Sequence, residues 1–204
     1  MIPVTPKPEP GSFEAKVRTP GRLFLRKFSR PSSEQFRKAS YWQACLPELR
    51  ETYSEVCAYS ACWVHSDGTV DHFLPTSARP DLAYEWENYR LAFAKLNIYK
   101  GSRMDVLDPF HIQTGWFVLN FDNLFVEPNT GLPAQVETAV QTTISALRLN
   151  TDKLLVDLRF SVVKDYAKGD LTFDYLRRRY PFIASELERQ DLTDAIRAHF
   201  SARN

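Results

Sequence analysis

Asp71 and His72 stand side by side in Val-Asp-His-Phe-Leu-Pro-Thr-Ser (70–77), and two carboxamides follow them. Asn88 lies in Trp-Glu-Asn-Tyr-Arg-Leu-Ala, and Asn97 in Lys-Leu-Asn-Ile-Tyr-Lys-Gly-Ser, with Lys100 three residues further on. Together these side chains have the chemistry to hold one hard metal ion against a phosphate and to activate a water. Asp71 offers a charged oxygen of the kind Mg²⁺ prefers. His72, with an ordinary pKa of about 6.5, can take a proton from water at neutral pH. Asn97 offers a neutral carbonyl oxygen to the same ion, and a neutral ligand leaves the site electropositive enough for a phosphodiester. Asn88 is suited to bonding backbone groups across a loop, which would fix the segment that carries the imidazole. Lys100 could meet a phosphate or the leaving group. An Asp-His pair alone is an ordinary feature of a strand end; the ordered set is what points to chemistry.

The elements needed to position these groups can be read around them. Ser66-Asp-Gly68 is a turn with glycine available for positive φ, Thr69–Phe73 a strand, and residues 74–87 an irregular loop with two prolines. Asn88–Phe93 reads as a second strand, and residues 94–101 as a short helix ended by Gly101. Successive strand residues face opposite sides, so Asp71 can address a metal while His72 addresses a nearby water. Upstream, Cys57–His65 reads as a strand that Thr69–Phe73 returns along. Residues 33–56 look helical, with Ser32 or Ser33 as cap and Pro47 in the first turn of a second short helix. Six of the thirteen prolines lie in the first 31 residues, so this segment is expected to be an extended arm.

Beyond the site, residues 105–110 and 115–121 suggest a loop and a strand. Val136, Val140, Ile144 and Leu147 recur at helical spacing over 134–149. Leu154, Leu155, Leu158, Val162 and Tyr166 support another helix, and 170–179 and 185–200 two more. The expected fold class is α+β: a small ββα core embedded in a mostly helical domain, with a Pro-rich N-terminal arm. The expected division is 1–32 basic arm, 33–55 helical lead-in, 56–110 site-bearing core and 111–204 C-terminal helical region.

A chain of 204 residues, 44% hydrophobic and 13% aromatic, can bury one sizeable core and is not disordered. No apolar run approaches the roughly twenty residues of a spanning helix, and the first ten residues contain no apolar stretch of a secretory leader. Three cysteines, Cys45, Cys57 and Cys62, form no disulfide framework; a reducing cytoplasm is the expected compartment. The net charge of +1 is unevenly spread. Residues 1–50 carry ten Lys/Arg against four Asp/Glu, 51–147 five against twelve, and 148–204 eleven against nine. An acidic centre flanked by a basic arm suits a metal-binding core served by phosphate contacts, and equally a plain acidic core with solvated flanks.

At Asp71-His72, Asn88 and Asn97 the sequence resembles the HNH, or ββα-metal, nuclease family. Val-Asp-His-Phe-Leu-Pro-Thr-Ser and Asn-x-x-Lys-Gly-Ser are similar to the HNH segment of RNA-guided CRISPR effector nucleases. The match covers residues 56–103. It implies hydrolysis of a DNA phosphodiester with one Mg²⁺ or Mn²⁺, His72 as general base, Asp71 and Asn97 as metal ligands and Asn88 as orienter. The wider chain, with Ala-Tyr-Glu-Trp-Glu-Asn-Tyr-Arg-Leu-Ala and Asp-Val-Leu-Asp-Pro-Phe, resembles stand-alone bacterial HNH proteins, some encoded with an ATPase in Septu-type anti-phage systems. That resemblance implies a P-loop ATPase partner, since this chain has no Walker motif.

Two features depart from common family forms. The paired Cys-x-x-Cys of a structural zinc is missing; Cys57, Cys62 and His65 could contribute to one, but core cysteines and a surface histidine account better for them. The last position is Asn in place of His, which favours Mg²⁺ or Mn²⁺ over a softer metal. His111 reads as a loop histidine, Arg177-Arg-Arg179 as a solvated helix end, Trp86 and Trp116 as packing aromatics. Two other functions suit the same residues: a non-catalytic nucleic-acid-binding or scaffold subunit, and, less well without a delivery segment, a nuclease toxin.

Overall fold

A computed structural model describes residues 1–196. The fold is α+β, with two separate two-stranded antiparallel sheets among helices. The chain divides into two compact units. One comprises Val4–Ala58 with Val64–Met104; the other comprises Met1–Pro3, Tyr59–Trp63 and the chain from Asp105. The expected arm and lead-in therefore lie almost wholly in the unit that carries the site.

In that unit the N-terminal segment is extended only at its start, which corrects the expectation for 1–31. A π turn over Glu14–Arg18 runs into helix α1 (Thr19–Lys27). Four of the six early prolines precede this helix, and Pro20 falls in its first turn, where a missing donor costs little. The Thr19 N–H reaches back five residues to the Glu14 carbonyl, so the ladder is re-registered in front of the proline. Phe13, Val17 and Gly21 recur every fourth residue on the buried face. Gly21 is required there: a Cβ would lie 2.1 Å from the Tyr84 ring. Helix α2 (Ser33–Lys38) starts with a capping box, the Gln35 N–H donating to the Ser32 hydroxyl and the Ser32 N–H to Gln35 Oε1. A 3-10 turn over Tyr41–Cys45 leads into α3 (Leu46–Thr52), with Pro47 in its first turn.

The strand expected at 57–65 does not form. The segment is apolar and largely buried, but a turn over 58–60 and the positive φ of Ala61 break its extended run. Single bonds satisfy part of its backbone, such as Ala58 N–H to Leu91 O at 2.8 Å. Strand β1 (Gly68–His72) pairs instead with β2 (Tyr89–Phe93), in a register that sets Asp71 opposite Arg90 and His72 opposite Tyr89. Helix α4 (Ala94–Lys100) follows at once and ends at Gly101, whose φ of +51° favours glycine.

The other unit holds a second hairpin, β3 (Phe117–Asn120) with β4 (Phe125–Pro128); β4 carried no signal strong enough to be expected. Helix α5 spans Ala134–Ala146. Helix α6 (Lys153–Lys168) is capped by Asp152 and closed by Gly169 in the left-handed region. Helices α7 (Phe173–Arg179) and α8 (Pro181–Arg189) complete it. Of the helix expected over 185–200, residues 197–200 lie outside the described residues. No helix among the described residues is long and apolar enough to cross a membrane.

Candidate active site

The ββα unit delivers the predicted residues from three directions. Asp71 and His72 end β1, Asn88 closes the loop before β2, and Asn97 and Lys100 lie on α4. Asn88 is buried, and its carboxamide spans the loop. The Leu74 N–H donates to its Oδ1 at 2.8 Å, while its Nδ2 donates to the carbonyls of Leu74 at 2.9 Å and Leu82 at 3.2 Å. The loop's two ends are thereby tied two residues past His72 and one residue before Ala83.

Ala83 is what His72 meets. The imidazole Nε2 is 2.8 Å from the Ala83 carbonyl oxygen. A carbonyl only accepts, so Nε2 carries the proton and, in the neutral ring, Nδ1 is left with its lone pair. The same carbonyl accepts the Tyr89 hydroxyl at 2.8 Å. Rings fix the imidazole from the sides: Trp42 lies edge-on with centroids 4.7 Å apart, Tyr89 edge-on at 5.2 Å. Burial holds the imidazole below its ordinary value of 6.5, against the opposing pull of the Ala83 bond and the Asp71 carboxylate. His72 is thus a neutral base in one defined tautomer, still partly exposed.

On the other side of β1, Asp71 is 1% exposed and Lys100 fully buried. The Lys100 ammonium is 3.1 Å from Asp71 Oδ1 and donates to the His72 carbonyl at 2.8 Å. Its charge also lies 5.7 Å from the centroid of the Phe73 ring, which the Arg90 guanidinium approaches at 5.2 Å. Lys100, expected to reach a phosphate, is therefore turned inward: its ammonium is engaged within the fold at the strand end. Taking two charges out of water is costly unless they meet each other with good geometry, and here a backbone carbonyl adds a further bond.

Asn97 faces β1 two residues earlier. Its Nδ2 donates to Thr69 Oγ1 at 3.0 Å and to the Val70 carbonyl at 3.2 Å. Because Val70 O can only accept, the amide nitrogen must point there, which leaves Oδ1 as the ligand-competent end. The donor set is then one carboxylate and one carboxamide oxygen on adjacent elements. Two hard oxygens suit Mg²⁺ or Mn²⁺, which keep several waters and need no all-protein cage. No group of three or more His, Cys, Asp or Glu is arranged to hold a metal among the described residues, so any ion here depends on the carboxamide.

The other sequence candidates go elsewhere. Cys45, Cys57 and Cys62 are buried thiols, and burial pushes Cys45 up to about 12. His111 sits in the second unit with Nδ1 3.2 Å from Asp108. Arg177 pairs with Glu188, and Arg179 stacks over Trp63 at 4.5 Å. The Trp86 indole donates to the Lys7 carbonyl and packs edge-on against Phe13. Sequence reasoning missed the Ala83 carbonyl, which no residue type marks. It also passed over Trp42 and Tyr84, whose only signal was aromatic character. No family model matches the chain, and no curated protein is significantly similar to it.

Proposed function

We propose that this protein is a metal-dependent endonuclease of HNH type that hydrolyses phosphodiester bonds of DNA. The observation that carries this reading is the imidazole of His72, held in one tautomer at the end of β1 by the Ala83 carbonyl, with Asp71 on the same strand and Asn97 bonded to that strand from the following helix. Asp71 and Asn97 would hold Mg²⁺ or Mn²⁺, which when bound supplies Lewis acidity toward a phosphate oxygen. His72 Nδ1 takes a proton from the attacking water as its oxygen joins phosphorus and the bond to the leaving sugar oxygen breaks. The Nε2–H bond to Ala83 strengthens as the ring becomes charged, and Asn88 keeps that carbonyl in place through Leu82. Lys100 positions the strand end that bears both groups.

The biological setting in this reading is bacterial anti-phage defence in the cytoplasm, with a P-loop ATPase as protein partner. A second reading has a specific observation in its favour. Asp71 already has a buried cation against it, which suits a nucleic-acid-binding or scaffold subunit that keeps the ββα fold without the chemistry. One experiment separates them. Supercoiled plasmid is incubated with Mg²⁺ or Mn²⁺ and the wild-type or His72→Ala chain, alone and with a candidate P-loop ATPase partner. The nuclease reading expects nicking by wild type and a loss of about 10²–10⁴-fold in the variant, the usual worth of a general base. Equal cutting by both chains sinks the assignment of His72, and no cutting by either, with the partner present, favours the scaffold.

A further inference from the structure

Between Arg22 and Lys38 the chain carries six bases, Arg22, Arg26, Lys27, Arg30, Arg37 and Lys38, against the single acid Glu34. All six are exposed. Two are paired, Arg22 with Glu85 at 3.1 Å and Lys38 with Glu34 at 2.9 Å. Arg26, Arg30 and Arg37 have no carboxylate partner among the described residues.

These bases stand on an aromatic layer that leads to His72. Phe24 and Phe28 contact each other at 5.3 Å between centroids, Phe24 and Phe36 at 5.7 Å, Phe36 and Trp42 at 6.4 Å, and Trp42 meets the imidazole. Helix α1 is also fixed to the loop that holds the base. Arg18 and Arg22 both pair with Glu85, and the Tyr84 ring lies where a Cβ on Gly21 would be. Glu85 and Tyr84 directly follow Ala83. A positive surface is thus rigidly linked to the groups that would act on a phosphate.

Resting on the nuclease reading, we infer that the exposed face of α1, α2 and the turn between them is where the substrate's phosphate backbone docks, with Arg26, Arg30 and Arg37 as its contacts. Arginine outnumbers lysine four to two across the run, as suits forked recognition of phosphate oxygens. A nucleic acid fits better than a lipid surface. An interfacial helix needs an apolar face turned to the membrane, whereas Phe24, Leu25 and Phe28 are half-buried and Leu23, 59% exposed, stands alone among the bases.

The test uses the full chain carrying His72→Ala, with EDTA, and a fluorescein-labelled thirty-base-pair DNA duplex. Anisotropy is followed over a series of salt concentrations. Changing Arg26, Arg30 and Arg37 together to Gln removes three phosphate contacts, so the log K against log salt slope should fall by about 2.7 and affinity at low salt by tenfold or more. The Arg→Lys triple should keep most of the slope, and the Gln triple at Lys153, Lys168 and Arg178, exposed in the other unit, should keep all of it. An unchanged slope in the first variant overturns the assignment, whether or not the wild type cuts DNA. So does capture by phosphatidylserine vesicles through the same arginines with no duplex binding. A slope that falls as expected while no chain cuts plasmid keeps the surface and removes the nuclease.

Discussion

The two hairpins of this protein are closed by different means. In β3–β4 the connection is short, and local groups make it: Leu124 turns in the left-handed region, and the side chains of Asn120 and Asn123 accept from backbone N–H groups two residues on. In β1–β2 the connection runs from Phe73 to Asn88, and the side chain of its last residue, with others from the flanking strands and α4, holds it. Asn88 bonds across the loop, Ala83 receives His72 and Tyr89, and Lys100 reaches from α4 to the strand end. Each hairpin also has a buried carboxylate, used differently. Glu186 accepts the Leu119 N–H of β3, with Arg189 and Gln190 completing its bonds, so it extends the sheet's own hydrogen bonding. Asp71 lies on the strand itself beside the candidate base. The β3–β4 hairpin is thus closed by its own turn, and the β1–β2 hairpin by longer-range polar bonds in its interior.

Changing one charged group at each buried carboxylate is the strongest way to break this contrast. Lys100→Met removes the buried ammonium from beside the Asp71 carboxylate and from the His72 carbonyl, and should cost about 3–5 kcal/mol, the usual loss when one partner of a buried ion pair is removed. Urea unfolding followed by circular dichroism measures it. Glu186→Gln keeps the acceptor for Leu119, and Arg189 is partly exposed and can turn to water, so its loss should be clearly smaller. Equal losses would remove the distinction between the two carboxylates.

A smaller effect is expected from Asn88→Ala, which removes the bonds to the Leu74 N–H and carbonyl and one of the two bonds to the Leu82 carbonyl, which keeps that from the Glu85 N–H. The cost should be about 1–3 kcal/mol, and protection of the loop amides from hydrogen exchange should fall while that of β3–β4 stays unchanged. Loss of protection in both hairpins would mean that Asn88 supports the whole fold and not the loop.

The smallest expected effect is the dependence on pH. Burial lowers the His72 pKa in the folded chain, so the unfolded chain binds the extra proton first as pH falls. The stability this provides is therefore fully present above the ordinary value of 6.5 and is lost progressively below it. The melting temperature should fall between pH 7 and pH 5, and His72→Gln, which does not titrate, should flatten that part of the curve. In the nuclease reading the rate depends on neutral His72, so its acid limb should also lie below 6.5. A limb at higher pH would contradict the burial of this ring.

Much of this arrangement is legible in the sequence. The succession of strand, loop, strand and helix around Asp71, Asn88 and Asn97 follows from short β-prone runs separated by prolines and ended by Gly101. The Ser32-Ser33 pair marks the start of α2 within a residue, and the structure assigns the cap to Ser32 with Gln35 as its reciprocal partner. Local signals fail where two of them compete. Six prolines suggest an extended arm, yet four of them precede the helix, Pro20 falls in its first turn, and Phe13, Val17 and Gly21 form its buried face. Likewise, an apolar run at 57–65 gives the same signal whether it forms a strand or folds as buried turns.

The sequence by itself determined the chemical types at the site and the elements that bear them, because caps, glycines and strand periodicity act over a few residues. Tertiary structure decided which groups meet. The proton position on His72 rests on the carbonyl of Ala83, a backbone atom that every residue possesses. The inward turn of Lys100 rests on Asp71 being carried, across β2, to a place without water. Helix α1 is joined to the loop that follows His72 by Tyr84 against Gly21 and by Glu85 with Arg18 and Arg22. Such contacts join residues far apart in the chain, and their energies depend on burial, which no short stretch of sequence contains.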